Sequence, residues 1–512
     1  MLSQSNRVNL LVLIIALLAT ACLVLAISVY GLGLTNDSVA YMAAAKSFYT
    51  QGRFFLPYRE NYYTDWPPLF SILLSSLYFI KVDHLLFTYS IVAVFLYFAV
   101  VYTFGCLAYR LTRSRLYTAL GMVIFVAGPP TFISFSYLWS EAPFILFTIM
   151  FLVGLDRCLG EQKFGILLFT AVAASLSIMV RYAGVVNIGI GAFFLFVYTN
   201  GGLVKRLKPT LLFVSVALFP LAGWFYRNYL ISSTLTGAGR TVALSHFSYT
   251  VVTTAKAVWE WFLPFPPYTF AGMLTIVACA SVFTLLAFAV ATMYRRHFVE
   301  RRLLMILFAS TLLYLFLNFI TALFRSSEFP NARLTSPAFF SFVLVLISIV
   351  SYWVRNGNAF FKTAVAAVVA VLLLFNLPKY VQYIRQGITT GLSGHSDKAS
   401  RNSPLVHALQ QSDWLAPYVQ REIAFTNAPE KLYYYGLLGI RKTNVDYRLD
   451  LTDAFQYTTE EKLLIWFSTV DNAERLHTIL KDTLQQYEVV REEKYADGKI
   501  LWLKLKQNSS LH

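Results

Sequence analysis

Carboxylates are scarce over most of this chain. Its first 378 residues contain ten Asp and Glu, and the other sixteen all lie beyond that point. Charge of either sign is thin, with 13% Asp, Glu, Lys and Arg against 57% hydrophobic residues and a mean hydropathy of +0.58. That composition excludes a soluble globule, which could neither bury nor cover so much apolar surface, and indicates a polytopic membrane protein. Cysteine is also sparse. Cys22, Cys106, Cys158 and Cys279 all fall in or beside apolar runs and none lies in the last third, so no disulfide framework holds that part. There is no phosphate-binding loop, no nucleophile elbow and no His/Cys spacing suited to a metal. The first polar loop has no Asp-x-Asp pair, and nothing asks for a cofactor. The seven histidines are scattered, with His246 and His395 in loops of interest.

The net charge of +16 raises the question of a nucleic-acid partner, and its location answers it. Residues 1–378 carry 25 Lys and Arg against ten acids, hence +15, while the remainder holds 17 against 16. The excess sits in short loops between apolar runs, where the positive-inside rule places it, so no nucleic acid is implied.

Apolar runs long enough to span lie near 9–31, 84–109, 116–134, 138–156, 164–181, 183–199, 209–230, 269–293, 303–323, 335–354 and 360–378. This predicts about eleven spans, within a range of roughly nine to thirteen. Basic clusters fall between alternate runs, among them Arg110–Arg115, Lys205–Lys208 and Arg295–Arg302. Placing them all inside puts the N-terminus in the cytoplasm and the C-terminal part outside. Pro67–Ile80, about fourteen residues, is short for a span and reads as an interfacial helix closing a first outer loop at 32–83. The expected organisation is a membrane domain over 1–378 and a small extracytoplasmic α/β domain over 379–512. In the latter, strands are expected at 423–427, 463–468, 487–492 and 499–505, with helices at 429–438 and 472–486.

Against this scarcity, Asp37 stands just past the first apolar run. An ionisable group at a membrane boundary is a functional candidate, here as a general base. It also suits the N-cap of a following helix, Val39 onward, and the two roles are compatible. Arg53, Tyr58, Arg59, Tyr62, Tyr63 and Asp65 approach Trp66-Pro67-Pro68, a mix that can grip sugar or phosphate or form an interfacial belt. Glu141, at the outer start of a span, calls for a partner or a cavity. Arg181, Arg227, Arg240, Arg325 and Arg333 lie outside against the positive-inside bias. Their anionic partners are lipid phosphates or the phosphate of a bound polyprenyl donor.

Taken in order, these segments resemble the GT-C superfamily of integral-membrane glycosyltransferases. The nearest branch contains the protein O-mannosyltransferases and the aminoarabinose transferases that modify lipid A. The carrying residues are Asp37-Ser38 with Tyr41; Trp66-Pro67-Pro68-Leu69; Ser140-Glu141-Ala142-Pro143; Arg181-Tyr182-Ala183-Gly184; Trp224 to Asn228; Asn331-Ala332-Arg333 with Pro337; and Asn427-Ala428-Pro429 with Leu432-Tyr433-Tyr434. The resemblance implies metal-free, inverting transfer of a sugar from a polyprenyl-phosphate donor to a hydroxyl on a glycan, lipid or protein acceptor, at the outer membrane face. Asp37 matches the catalytic aspartate and Arg333 an arginine near the donor, while Glu141 and Arg181 match cavity positions. The expected donor- and substrate-binding set is Tyr41, Arg59, Tyr63, Asp65, Glu141, Arg181, Tyr182, Arg240 and Arg333. One departure stands out: close relatives often have Lys where this chain has Trp66, which either shifts phosphate binding to Arg59, Arg181 or Arg333 or implies a different donor. The rival expectations are a metal-dependent oligosaccharyl-type transferase and a flippase of lipid-linked sugars. No paired repeat or midplane broken helix favours the flippase.

Overall fold

The structure is a computed structural model. It describes residues 4–80, 85–237, 246–261, 269–295, 300–324, 329–356, 359–442, 459–470, 476 and 486–506. The chain forms two compact units. One comprises Met1–Leu32, Thr64–Leu73 and Ile80–Leu392, the other Gly33–Tyr63, Leu74–Phe79 and Ser393–His512.

The first unit is helical. It contains α1 (Gln4–Ile27), the start of α3 (Leu69–Tyr78), α4 (Leu85–Thr112), α5 (Arg115–Ala127), α6 (Pro129–Ser136), α7 (Glu141–Glu161), α8 (Phe164–Val180), α9 (Val185–Tyr198) and α10 (Leu203–Ser232). It continues with α11 (Phe247–Trp259), α12 (Thr269–Arg295), α13 (Arg301–Phe324), α14 (Ser336–Asn356) and α15 (Ala359–Thr389). The helix α2 (Asn36–Gln51) belongs to the second unit. Among the described residues, six helices are long and apolar enough to cross a membrane, or seven if the bent pair α5–α6 is one span. The protein is an integral membrane protein. The run expected at 116–134 is not one straight helix. It breaks by 56° where Pro129 and Pro130 follow Gly128, because proline supplies no N–H to the preceding turn. The boundary expected at 378 falls inside α15.

The faces of α1 show what solvent these helices want. Val8, Val12, Ala16, Ala19, Leu23 and Ala26 recur at spacings of three and four and are buried, with α4 and α15 packed against the helix. Between them Leu10, Ile14, Leu17, Leu18 and Leu25 are 46–63% exposed. In water each such side chain would forfeit about 1.5–3 kcal/mol of burial, and in a bilayer it forfeits nothing.

Charge inside this unit is gathered at helix ends. Asp156, buried near the end of α7, receives Arg110 of α4 at 2.6 Å and Arg302 of α13 at 2.9 Å. Glu300, just before α13, receives Arg110 at 2.7 Å and Arg113 at 3.5 Å. Three of these arginines, read from sequence only as topology markers, therefore also tie three helices together. Removing the central carboxylate would leave two half-buried guanidiniums without it. Asp156→Asn is expected to lower stability by about 3 kcal/mol, seen as a fall in the thermal unfolding midpoint in detergent.

The second unit contains α2 and the two-stranded ribbon β1 (Phe55–Leu56) with β2 (Asn61–Tyr62). From the C-terminal part come α16 (Lys398–Arg401), α17 (Pro404–Gln410), α18 (Leu415–Gln420), β3 (Ala424–Thr426), α19 (Pro429–Tyr434), β4 (Arg441–Lys442), β5 (Glu461–Phe467), β6 (Tyr487–Tyr495) and β7 (Gly498–Leu505). The five strands run in the order β4-β3-β5-β7-β6, with β3 parallel to β4 and β5, and β7 antiparallel to β5 and β6. Strand alternation sends Leu463, Ile465 and Phe467 to one apolar cluster, and Leu464 and Trp466 to the other. Both faces of the sheet are thus covered. Leu405, Val406 and Leu432 supply much of the first covering layer. The helix expected at 472–486 lies outside the described residues apart from its Leu476 and Gln486. The helix expected at 429–438 is shorter, ending at Tyr434.

Candidate active site

In the membrane unit the site is built by helix ends that meet. Helices α7 and α8 are packed neighbours, so the first residue of α7, Glu141, comes to the level of Arg181, the cap that follows α8. Arg333, three residues before α14, joins them. Arg181 Nη1 lies 2.7 Å and Arg333 Nε 2.6 Å from the same oxygen, Glu141 Oε1. Arg181 Nη1 also donates to Ser140 Oγ at 3.0 Å, and the Arg333 guanidinium lies 4.1 Å from the Trp139 ring centre. Trp139 in turn stacks on Tyr137 at 4.3 Å. Glu141 is 1% exposed, and its second oxygen, Oε2, is buried without a hydrogen-bond partner among the described residues. One carboxylate oxygen thus faces two guanidiniums in a largely desolvated setting. This cluster and Asp156 are fifteen residues apart on α7, roughly 22 Å along the axis, so the two charge groups are separate structures.

Around the same unit, Tyr182 accepts a hydrogen bond from Trp224 Nε1 at 3.2 Å, and Arg227 lies 4.5 Å from the Trp224 ring centre. Asn228 is buried and donates to the carbonyls of Thr64 and Leu235 at 3.2 and 3.0 Å, which pins the chain just before Asp65. Gly237 has φ +90 and approaches so closely that a Cβ there would stand 1.9 Å from Asp65 Oδ1, so only glycine fits beside that carboxylate. Arg240 and Arg325 lie outside the described residues.

In the second unit Asp37 occupies the first turn of α2 and is half-buried. It is not the N-cap. That position is Thr35, whose backbone N–H donates to Ser38 Oγ at 3.0 Å in a reciprocal capping box. Both Thr35 and Asp37 suit a cap, and the hydroxyl at Ser38, three residues on, selects Thr35. Asp37 keeps the favourable dipole of the helix start without being spent as its cap. Tyr41, one turn along, and Tyr63 are both buried, and Tyr63 lies against Phe54 with its N–H bonded to the Phe54 carbonyl at 3.1 Å.

Arg59 pairs with buried Glu430 of α19 at 2.8 Å. Tyr58 lies between this pair and Tyr433, whose ring is 5.3 Å away. Burial raises the Tyr58 hydroxyl well above its usual pKa. Arg59 opposes that, and the carboxylates of Glu430 and Asp37 add to it. Glu430 is the residue that sequence reading passed over here, and His395 was singled out only for its loop. Glu430 follows the Asn427-Ala428-Pro429 segment, but nothing local announces its pairing with an arginine 371 residues earlier.

His395 follows α15 closely in sequence. Burial lowers its pKa to about 4, opposed by Glu430, reinforced by Lys431 and opposed again by Asp397. The unfolded chain takes up this proton near pH 6.5 and the folded chain only near pH 4, so stability is lost as pH falls through that window and is unaffected above it. The loss approaches roughly 3 kcal/mol at its lower end. Unfolding of wild type beside His395→Gln, followed from pH 7 to 4.5, is expected to show the wild-type midpoint falling away from that of the variant as pH falls.

The helical body and the mixed-sheet unit share their fold with a solved integral-membrane protein. Over 96% of its length the chain aligns with 97% of ArnT from Cupriavidus metallidurans, solved both bound to undecaprenyl phosphate and in the apo state, with a TM-score of 0.54 and 13% identity. The archaeal oligosaccharyltransferase AglB from Archaeoglobus fulgidus, in complex with an inhibitory peptide and a dolichol-phosphate, aligns over 80% of this chain and 59% of its own, with a TM-score of 0.46 and 12% identity. No family model and no curated protein matches the sequence. At 13% identity the likeness to ArnT is one of fold.

Proposed function

We propose that this protein transfers a sugar from a polyprenyl-phosphate donor to an acceptor hydroxyl at the outer face of the membrane, with inversion. The observation that carries the reading is the Glu141–Arg181–Arg333 cluster: two half-buried guanidiniums converge on one carboxylate oxygen, and such guanidiniums are the groups that hold a phosphate. The fold shared with ArnT, a protein solved with undecaprenyl phosphate, supports it. In this chain the arginines would take over the phosphate contact that Trp66 cannot make. Arg59, committed to Glu430, is the weaker candidate for that role.

A phosphate leaving group departs as a stabilised anion, so the protein must position two substrates and remove one proton. Asp37 is the base for that proton. Its place in the first turn of α2 fixes the carboxylate on a helix instead of a loop. In this reading about eleven crossings form the membrane body, with the shorter apolar helices included and the N-terminus in the cytoplasm. The sheet-bearing unit is then extracytoplasmic and serves acceptor binding, the acceptor being a glycan, lipid or protein.

The test is transfer by the purified protein from a panel of polyprenyl-phosphate sugars, hexosyl and pentosyl, to added acceptors. Turnover of at least one donor that persists with EDTA is the expected outcome. A protein that moves such lipids between leaflets and transfers no sugar would sink the proposal in favour of a flippase.

A further inference from the structure

The turn that launches Asp37 is held by a residue far along the chain. The His395 backbone N–H donates to the Leu34 carbonyl at 2.7 Å, and its ring Nε2 lies 2.9 Å from Asn36 Oδ1. With Asn36 Oδ1 accepting, the ring donates from Nε2. Gly394, at φ +128, lets the two backbones touch, since a Cβ there would stand 2.0 Å from the Leu34 oxygen. His395 is itself braced from behind. Its carbonyl accepts from the Tyr435 hydroxyl at 2.8 Å, and its ring stacks on Tyr434 with centres 6.4 Å apart. It thus grips the residues on both sides of the Thr35 cap, and Asp37 is the next residue after Asn36.

We propose that His395 is a positioning residue for Asp37, clamping Leu34 to Asn36 so that the carboxylate is delivered in one orientation. This rests on the reading of Asp37 as the base. A displacement of about 1 Å in a reacting group can cost on the order of 100-fold in rate. The neutral imidazole that burial favours supplies the single Nε2–H that Asn36 needs.

The experiment uses the full-length protein in lipid nanodiscs with two readouts. The first is amide hydrogen exchange over residues 34–41. His395→Ala is expected to speed it, whereas His395→Gln, whose amide N–H can replace the ring donor, is expected to leave it near wild type. Unchanged exchange in His395→Ala overturns the clamp. The second readout is sugar transfer. His395→Ala is expected to lower kcat by about 10–100-fold with the donor KM within about twofold, and His395→Gln to restore most of the rate. Placed in an Asp37→Asn background, His395→Ala should cost nothing further, because it acts through the missing base. A loss in that background as large as in wild type overturns the positioning role, as does a full wild-type rate for His395→Ala. If the wild type transfers no sugar, the functional reading fails, and the exchange measurement still decides the clamp.

Discussion

Asp37→Asn is expected to fold, to bind donor and to lose roughly 10²–10⁴-fold in kcat, the usual contribution of a positioned general base. The substitution suits the question because asparagine keeps the size of the side chain and can remain in the first turn of α2. The cap should survive, since Thr35 and Ser38 provide it. Loss of the carboxylate's favourable interaction with the helix start should cost only about 0.3–1 kcal/mol. A large fall in kcat without a comparable fall in stability therefore isolates the chemistry. The donor KM should move little, because in the proposed mechanism the base acts on the acceptor hydroxyl and the arginines on the phosphate. Wild-type turnover by a folded Asp37→Asn protein would remove the base assignment and leave Asp37 as a residue of the helix start alone.

How much of this was legible beforehand depended on whether a residue's oddity or its partner mattered. Asp37, Glu141, Arg181 and Arg333 were each visible as charges where a membrane chain has few or where the topology rule disfavours them. The fold class was legible for the same reason, because long apolar runs have few alternative readings. Partners were not legible. The meeting of Glu141 with Arg333 joins residues 192 apart and depends on which helix ends lie level with one another. Asp156 looked unremarkable in sequence, yet it receives arginines from two other helices. The choice of Thr35 over Asp37 as the cap turned on a single hydroxyl at Ser38. The grouping of residues 33–63 with the C-terminal sheet in one compact unit has no local signature, since neither Arg59 nor Glu430 advertises the other.

Glu141→Gln is expected to cost about 3–5 kcal/mol in stability, the usual consequence of breaking a buried ion pair from one side. That is a large share of the roughly 5–15 kcal/mol that separates folded from unfolded states of soluble domains. The reason lies in the geometry. Arg181 and Arg333 are drawn to one oxygen at 2.7 and 2.6 Å, with side chains only 16% and 19% exposed. Without the carboxylate, two guanidiniums a few ångströms apart repel by about 4 kcal/mol at an effective dielectric constant near 20. The amide can accept from one of them but cannot neutralise either. The same reasoning predicts a rescue. If the arginines bind the donor's phosphate, an added polyprenyl phosphate supplies the anion that the mutant lacks. Ligand bound only by the folded state stabilises it by RT ln(1 + L/Kd), with L the free ligand concentration. The rise in unfolding temperature on adding the lipid phosphate should therefore be larger for Glu141→Gln than for wild type, and smaller than wild type for Arg333→Gln. Equal shifts in all three proteins would mean that the phosphate binds elsewhere and that this cluster only ties together the ends of the helices. The opposite ordering in the two variants ties the result to charge, because Glu141→Gln leaves two guanidiniums without their carboxylate whereas Arg333→Gln leaves Glu141 paired with Arg181.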